Sequence, residues 1–216
     1  MLKGAHFFLG VVLLAGSPAW ADIQNPSFEN ITSTFVDNTG QDTMVLGTGS
    51  TVMPGWTVTG SYEIAWIGNG NPFNLSAHSG SYFLDLTGYD ATPTGNGVTQ
   101  TVSTVAGENY VLSFWLGSDS TYGLPAGITA QAGATTQIFT SSATGHNAWT
   151  HFFLPFTGAT GTSTVITLTG EEGQKYIGLD DVHVTVPEPL SLGLLATDLG
   201  SLVLGCLILA VRRRRA

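Results

Sequence analysis

The chain has 216 residues, 43% of them hydrophobic and only 10% charged, with a net charge of −9 at pH 7. All of its 15 carboxylates except Glu188 and Asp198 lie within residues 22–186, where Lys175 is the one cationic side chain. Such a surface repels phosphate backbones and excludes nucleic-acid binding, and the single cysteine, Cys206, excludes an internal disulfide.

Lys3, the apolar stretch FFLGVVLLAG and Ala19-Trp20-Ala21 form the charged region, hydrophobic region and A-x-A site of a signal peptide. Cleavage after Ala21 is predicted, so residues 1–21 are a leader. Residues 22–186 have the length of one domain. They hold no helix-period segment. Short β-rich runs alternate with Gly, Asn, Ser and Thr clusters at roughly ten-residue spacing, the pattern of an all-β sandwich or jelly roll. The predicted strands are TFVDN, GWTVTG, YEIAWIG, SYFLDLTG, GVTQTVST, YVLSFWLGS, GITAQAG, TQIFTSS, WTHFFLPFTG, STVITLTG and YIGLDDVHVTV. Residues 36–51 and 117–127 read as loops. In YVLSFWL, Leu112, Phe114 and Leu116 share the core face, and Val111, Ser113 and Trp115 share the other. Pro155 places its strand at a sheet edge or end.

The chain closes with VPEP (Val186, Pro187, Glu188, Pro189), an apolar run over 190–211 and Arg212, Arg213, Arg214 and Arg215. As a helix rising about 1.5 Å per residue, the run is long enough for a hydrocarbon core of about 30 Å. The prolines mark its start. The arginines place its far end in the cytoplasm by the positive-inside rule. Residues 187–216 thus read as a sorting tail with a transmembrane helix, and everything before Pro187 is exported.

No catalytic motif stands out. There is no G-x-S-x-G elbow and no H-E-x-x-H. His78, His146, His151 and His183 lack metal-ligand spacing and read as surface or half-buried. Glu171-Glu172 sits beside glycines in a turn, not opposed across a substrate as glycosidase carboxylates are. Aromatic side chains are the candidates for ligand contact, since sugar rings stack their C–H faces on them. Tyr122, in a polar loop, and Tyr89, in TGYDATPTGNG, are the first choices. Trp66, alternating with Tyr62 and Ile64, and Trp115, sharing a face with Ser113, complete the set. Trp56, Phe28, Phe83, Phe114 and Phe153 read as core.

Two resemblances add to this reading. The VPEP triplet, apolar span and terminal arginines resemble the PEP-CTERM sorting signal of Gram-negative bacteria. That resemblance implies processing by an exosortase, a membrane-embedded transpeptidase, in cells that make exopolysaccharide or biofilm matrix. NPSFEN (25–30), PGWTVTG, SGSYFLDLTG, GVTQTVSTVAGENYVLSFWLG, WTHFFLPFTGATG and YIGLDDVHV (176–184) resemble, in that order, the galactose-binding-like jelly rolls of the choice-of-anchor C family. That family is related to plant cell-wall proteins of domain-of-unknown-function family 642. The resemblance implies a lectin-like, non-catalytic module that binds polysaccharide. It also implies a structural calcium where the first and last strands meet, with Glu29 and Asp180 as ligands completed by backbone carbonyls, and Asp181 as the spare if the register shifts by one. Ca²⁺ takes six to eight oxygen ligands, which suits carboxylates plus carbonyls. Three readings follow: an exported carbohydrate-binding protein of the envelope or matrix, a structural matrix protein without a discrete ligand, and, least favoured, a polysaccharide hydrolase.

Overall fold

The computed structural model describes residues 21–31, 35–89, 95–143, 147–171 and 176–187. The strands among them are β1 (Thr43–Leu46), β2 (Thr57–Thr59), β3 (Ile64–Gly68), β4 (Tyr82–Asp85), β5 (Gly97–Ser103), β6 (Asn109–Ser118), β7 (Ala126–Ala132), β8 (Thr135–Ser141), β9 (Ala148–Thr157), β10 (Ser163–Gly170) and β11 (Gly178–Thr185). One 3₁₀ turn, Ser120–Tyr122, follows β6, and the Asp119 carboxylate caps it by accepting Thr121 N at 2.8 Å. The strands form two antiparallel sheets, β1-β3-β4-β11-β6-β9 and β2-β5-β10-β7-β8, packed as a jelly-roll sandwich.

Side-chain alternation drives the packing. Leu112, Phe114 and Leu116 on β6 and Ile166 and Leu168 on β10 point into the space between the sheets and are fully buried. Thr164 is buried too, its hydroxyl 2.8 Å from that of Thr104, so neither is left unpaired. As Pro155 requires, β9 is an edge strand, and Pro155 pairs opposite Val111. Phe153 departs from expectation. It points outward from β9 and is 55% exposed, because its parity on the strand matches Trp115 rather than Phe114. One predicted strand, TFVDN, is also wrong. The carboxylate of Asp37 instead accepts the amides of Thr39, Gly40, Asp42 and Thr43, which bends the chain into a turn, and β1 forms after it inside the stretch read as a loop.

The N-terminal segment 21–31 has no strand of its own but plugs one end of the core. Trp56 Nε1 donates to Asn25 O at 3.0 Å, Trp66 Nε1 donates to Phe28 O at 3.1 Å, and Val182 N on β11 donates to Pro26 O at 2.9 Å. Residues 1–20 of the leader, Glu188, Pro189, the span 190–211 and the four arginines lie outside the described residues, while Ala21, its last residue, is buried in the core. Val186 and Pro187 continue from β11 as exposed chain.

Candidate functional site

The outer face of the six-stranded sheet is where chemistry collects. Along β3, Ile64 and Trp66 face the main core, and Ala65 and Ile67 face outward. Outward does not mean exposed here. The 69–81 loop folds over this face, and Ala65 and Ile67 join Leu75, Phe83 and Tyr176 in a second, smaller core. Trp149 completes the cover. Its indole lies over Gly117 and Gly178, where an added Cβ would come within 2.7 Å and 3.1 Å of the ring, and its Nε1 donates to Ser76 O at 3.1 Å.

At one end of this covered face opens a cleft of about 160 Å³. Ala65, Ile67 and Asp85 supply sheet residues to its lining, while Phe73 and Tyr89 come from two loops and Tyr122 and Tyr176 from two others. The structure thus brings together Tyr122 and Tyr89, which are far apart in sequence. Tyr89 is 37% exposed and meets Phe73 edge-on at 6.3 Å, and Tyr122 lies 5.0 Å from Tyr176. The turn after β4, closed by Gly88 N donating to Asp85 O, needs a left-handed residue. Gly88, with φ of 72°, supplies it and so aims Tyr89 at the cleft.

Asp85 is the polar centre of the lining. It is 2% exposed, and burial pushes its carboxyl up to about 6, against the opposing hydrogen bonds from Thr87 N, the Thr87 hydroxyl and Ile177 N. All three bonds end on Oδ1, and no described residue bonds Oδ2. Tyr176, 7% exposed, has a buried hydroxyl with no hydrogen-bond partner. Burial, with the nearby Asp85 charge, drives its pKa upward, so it stays a neutral phenol. Asp85, Phe73 and Tyr176 had no sequence motif to announce them. Only Asp85 left a trace, a lone carboxylate flanked by apolar residues in YFLDL.

The other two aromatic candidates are placed elsewhere. Trp66 is wholly buried in the main core between Phe35 and Tyr82, so it offers no surface to a ligand. Trp115 is half-buried, and its indole is already stacked upon, by His78 at 3.8 Å and by His151 at 4.5 Å. It therefore belongs to an imidazole–indole ladder rather than to the cleft. Burial lowers the pKa of His151, and the neighbouring His78 and His183 lower it further.

Glu29 and Asp180 meet the same short segment. Glu29 Oε1 accepts Ser81 N and Tyr82 N at 2.8 and 2.7 Å, and Asp180 Oδ2 accepts Ser79 N at 3.1 Å. Asp180 is fully buried, and burial pushes its carboxyl up to about 8. Among the described residues, no Lys or Arg lies beside either carboxylate. This oxygen-only donor set fits a hard cation such as Ca²⁺. Among the described residues, no three His, Cys, Asp or Glu side chains converge as a metal site. A bulge between Asp180 and His183 turns Asp181 outward, with φ of 49°. There it accepts the Ser27 and Ser79 hydroxyls and pairs with His78. Burial opposes its ionisation, but these bonds hold its carboxyl below the ordinary range.

No curated protein matches the chain in sequence. Three solved structures are similar to it at low identity. The first is TmCBM61 in complex with β-1,4-galactotriose, with 17% identity, a TM-score of 0.43, and coverage of 77% of this chain and 98% of that one. The second is the CBM22-1 xylan-binding domain from Paenibacillus barcinonensis Xyn10C, with 17%, 0.45, 69% and 97%. The third is the C-terminal family 22 carbohydrate-binding module of Clostridium thermocellum Xyn10B, with 16%, 0.46, 67% and 93%. The model of the family described as "Protein of unknown function (DUF642)" matches residues 21–182, most of the chain and nearly all of its sandwich. The chain belongs to the DUF642 family.

Proposed function

We propose that this protein binds carbohydrate without catalysis, through the cleft between Tyr89 and Tyr122. The observation that carries this reading is the convergence of Tyr89, Phe73, Tyr122 and Tyr176 around one carboxylate, Asp85. Aromatic rings offer flat apolar faces to the C–H faces of a sugar, and a few convergent polar groups set its orientation. Hydrolysis needs a second carboxylate opposite the first. Asp85 is the only one among the described residues that line the cleft.

Truncating either tyrosine should cost about 1–2 kcal/mol of binding energy, the range for a central aromatic contact. Tyr122→Ala and Tyr89→Ala are therefore expected to weaken a glycan found on an array by roughly five- to thirtyfold, without a matching loss of stability. Unchanged affinity in both variants would sink the assignment.

The same proposal includes the route. The leader sends the chain through the inner membrane of a Gram-negative cell, the tail holds it there, and an exosortase cuts near Pro187-Glu188-Pro189. The product joins the cell surface or the exopolysaccharide matrix of a biofilm. A structural matrix role without a discrete ligand is the second reading. It is favoured by the outer face of the five-stranded sheet, where Thr57, Thr99 and Thr167 follow one another across three strands with no charge between them.

Calcium is proposed as a structural ligand at Glu29 and Asp180, tying the N-terminal segment to β11. An ion that binds only the folded state stabilises it by about 2.7 kcal/mol at a hundredfold excess over its dissociation constant. EDTA should lower the melting temperature, Ca²⁺ should restore it better than Mg²⁺, and Asp180→Asn should erase the response. A wild-type melting temperature indifferent to EDTA rules the site out.

A further inference from the structure

We infer that the free edge of β8 pairs with the same strand of a second copy of this chain, antiparallel about Ile138, joining two five-stranded sheets into one continuous sheet. The surface is separate from the cleft, whose sheet residues Ala65, Ile67 and Asp85 belong to the other sheet.

How the fold treats its sheet edges is the first argument. A bare edge strand invites pairing, and proteins blunt or cover such edges. The edges here are β1 and β9 of one sheet and β2 and β8 of the other. Asn38 covers β1, its side chain accepting Val45 N at 2.9 Å and its backbone donating to Thr43 O at 3.2 Å. Residues 49–50 cover β2: Gly49 N donates to Val58 O and Val58 N to Ser50 O, both at 2.9 Å. β9 carries Pro155. Gly158 N donates to Glu108 O, so in this register the odd-numbered residues of β9 face away from β6, and the missing N–H of the proline falls on the free side. Among the described residues β8 has none of these devices. Its seven residues, TTQIFTS, include no proline and no charge.

Register is the second argument. Gly133 N donates to Val165 O at 2.9 Å, so Gln131 and Thr129 also bond β10, and the alternate residues Ala132, Ala130 and Ile128 bond β8. On β8 this uses Thr135, Gln137 and Phe139, and it leaves the N–H and C=O of Thr136, Ile138 and Thr140 directed outward. The side chains of these three residues are exposed, Ile138 at 56%. An antiparallel copy centred on Ile138 sets the two isoleucines opposite each other and each Thr136 opposite the partner's Thr140, so every outward donor meets an acceptor. Opposed threonines are a favourable cross-strand pair, and the isoleucines cover each other's apolar surface. The interface is self-complementary, as a two-fold dimer requires.

Charge is the third. The chain carries a net charge of −9, so two copies repel unless they meet on neutral ground. No strand of the five-stranded sheet contains a charged residue. Glu171, just beyond β10, touches this sheet by accepting the Thr129 hydroxyl at 2.7 Å. Thr129 lies one strand in from the edge, opposite Ile138. Two paired copies therefore hold their Glu171 side chains about 14 Å apart, three strand spacings and beyond a Debye length of about 8 Å. A second copy seats here without like-charge contact.

Sedimentation of the full-length protein over a concentration series is the test. Ile138→Lys sets two like charges directly opposite in the dimer, and Ile138→Glu does the same with the other sign. Because Ile138 is exposed, each variant is expected to keep the parent melting temperature while its dimer dissociation constant rises at least about tenfold. An equal mixture of the two sets lysine against glutamate and should restore the dimer. A local readout runs beside it in a Cys206→Ser background. Ile138→Cys places two Cα atoms about 5.5 Å apart across the two-fold, within disulfide reach, and should cross-link under a mild oxidant. Thr136→Cys places them about 14 Å apart along the strands and should not. A parent protein that sediments as a monomer throughout, charge variants that associate like the parent, or equal cross-linking of Thr136→Cys and Ile138→Cys would each overturn the pairing.

Discussion

Trp66→Ala is expected to destabilise the fold by about 3–5 kcal/mol, the cost of removing a large buried aromatic side chain. The indole is completely buried, packs edge-on against Phe35 at 5.3 Å and lies 6.0 Å from Tyr82. Its Nε1 also satisfies the carbonyl of Phe28, a fully buried residue held at φ of 58°. Truncation would leave a cavity and strand that carbonyl, so the N-terminal plug loosens along with the core. Denaturant unfolding measures the loss, and Trp66→Phe should recover part of the packing but not the hydrogen bond. A loss below about 1 kcal/mol in Trp66→Ala would contradict the buried placement.

Gly97→Ala should cost about 3 kcal/mol or more, at the upper end for overpacking. A Cβ there would lie 1.9 Å from Leu168 O and 2.7 Å from Thr169 Cα. Both atoms are backbone of β10, bonded to β5 on one side and β7 on the other. No side chain can swing aside, so relief requires prying the middle of the five-stranded sheet apart. Gly47 is the control. A Cβ there meets nothing within 4 Å, and Gly47→Ala is expected to stay within about 0.5 kcal/mol of the parent. Equal thermal unfolding of the two variants would refute the strand pairing at Gly97.

Alternation made the sandwich legible wherever one sheet face meets the core and the other meets solvent. The β6 stretch and Pro155 at the β9 edge show this. The same rule misled at Trp66, because all five residues of β3 are buried: the 69–81 loop covers the face that should have been wet. Parity also decides Phe153, which composition alone assigned to the core. Tyr122 and Tyr89 could be singled out because they are large aromatic residues in polar loops. Their meeting could not be read, since it depends on how separate loops fold over a sheet. Tyr176 and Phe73 were hidden for the same reason. The imidazole ladder on Trp115 arises from the β6–β9 register, which sets His151 opposite Trp115, and from the long loop that delivers His78. No spacing in the sequence encodes that.

The position of β11 governs how the molecule answers a mechanical pull. Tension on the chain beyond Pro187 enters along the axis of a strand flanked by β4 and β6, not along an edge. The two ladders are then stressed in shear, so their hydrogen bonds must rupture together, whereas peeling an edge strand such as β9 would break them one after another. The Val182–Pro26 bond and the Ser27–Asp181 contact fasten the other end of the polypeptide to the same strand. A load applied from that end would therefore be shared by two ladders at once rather than by one.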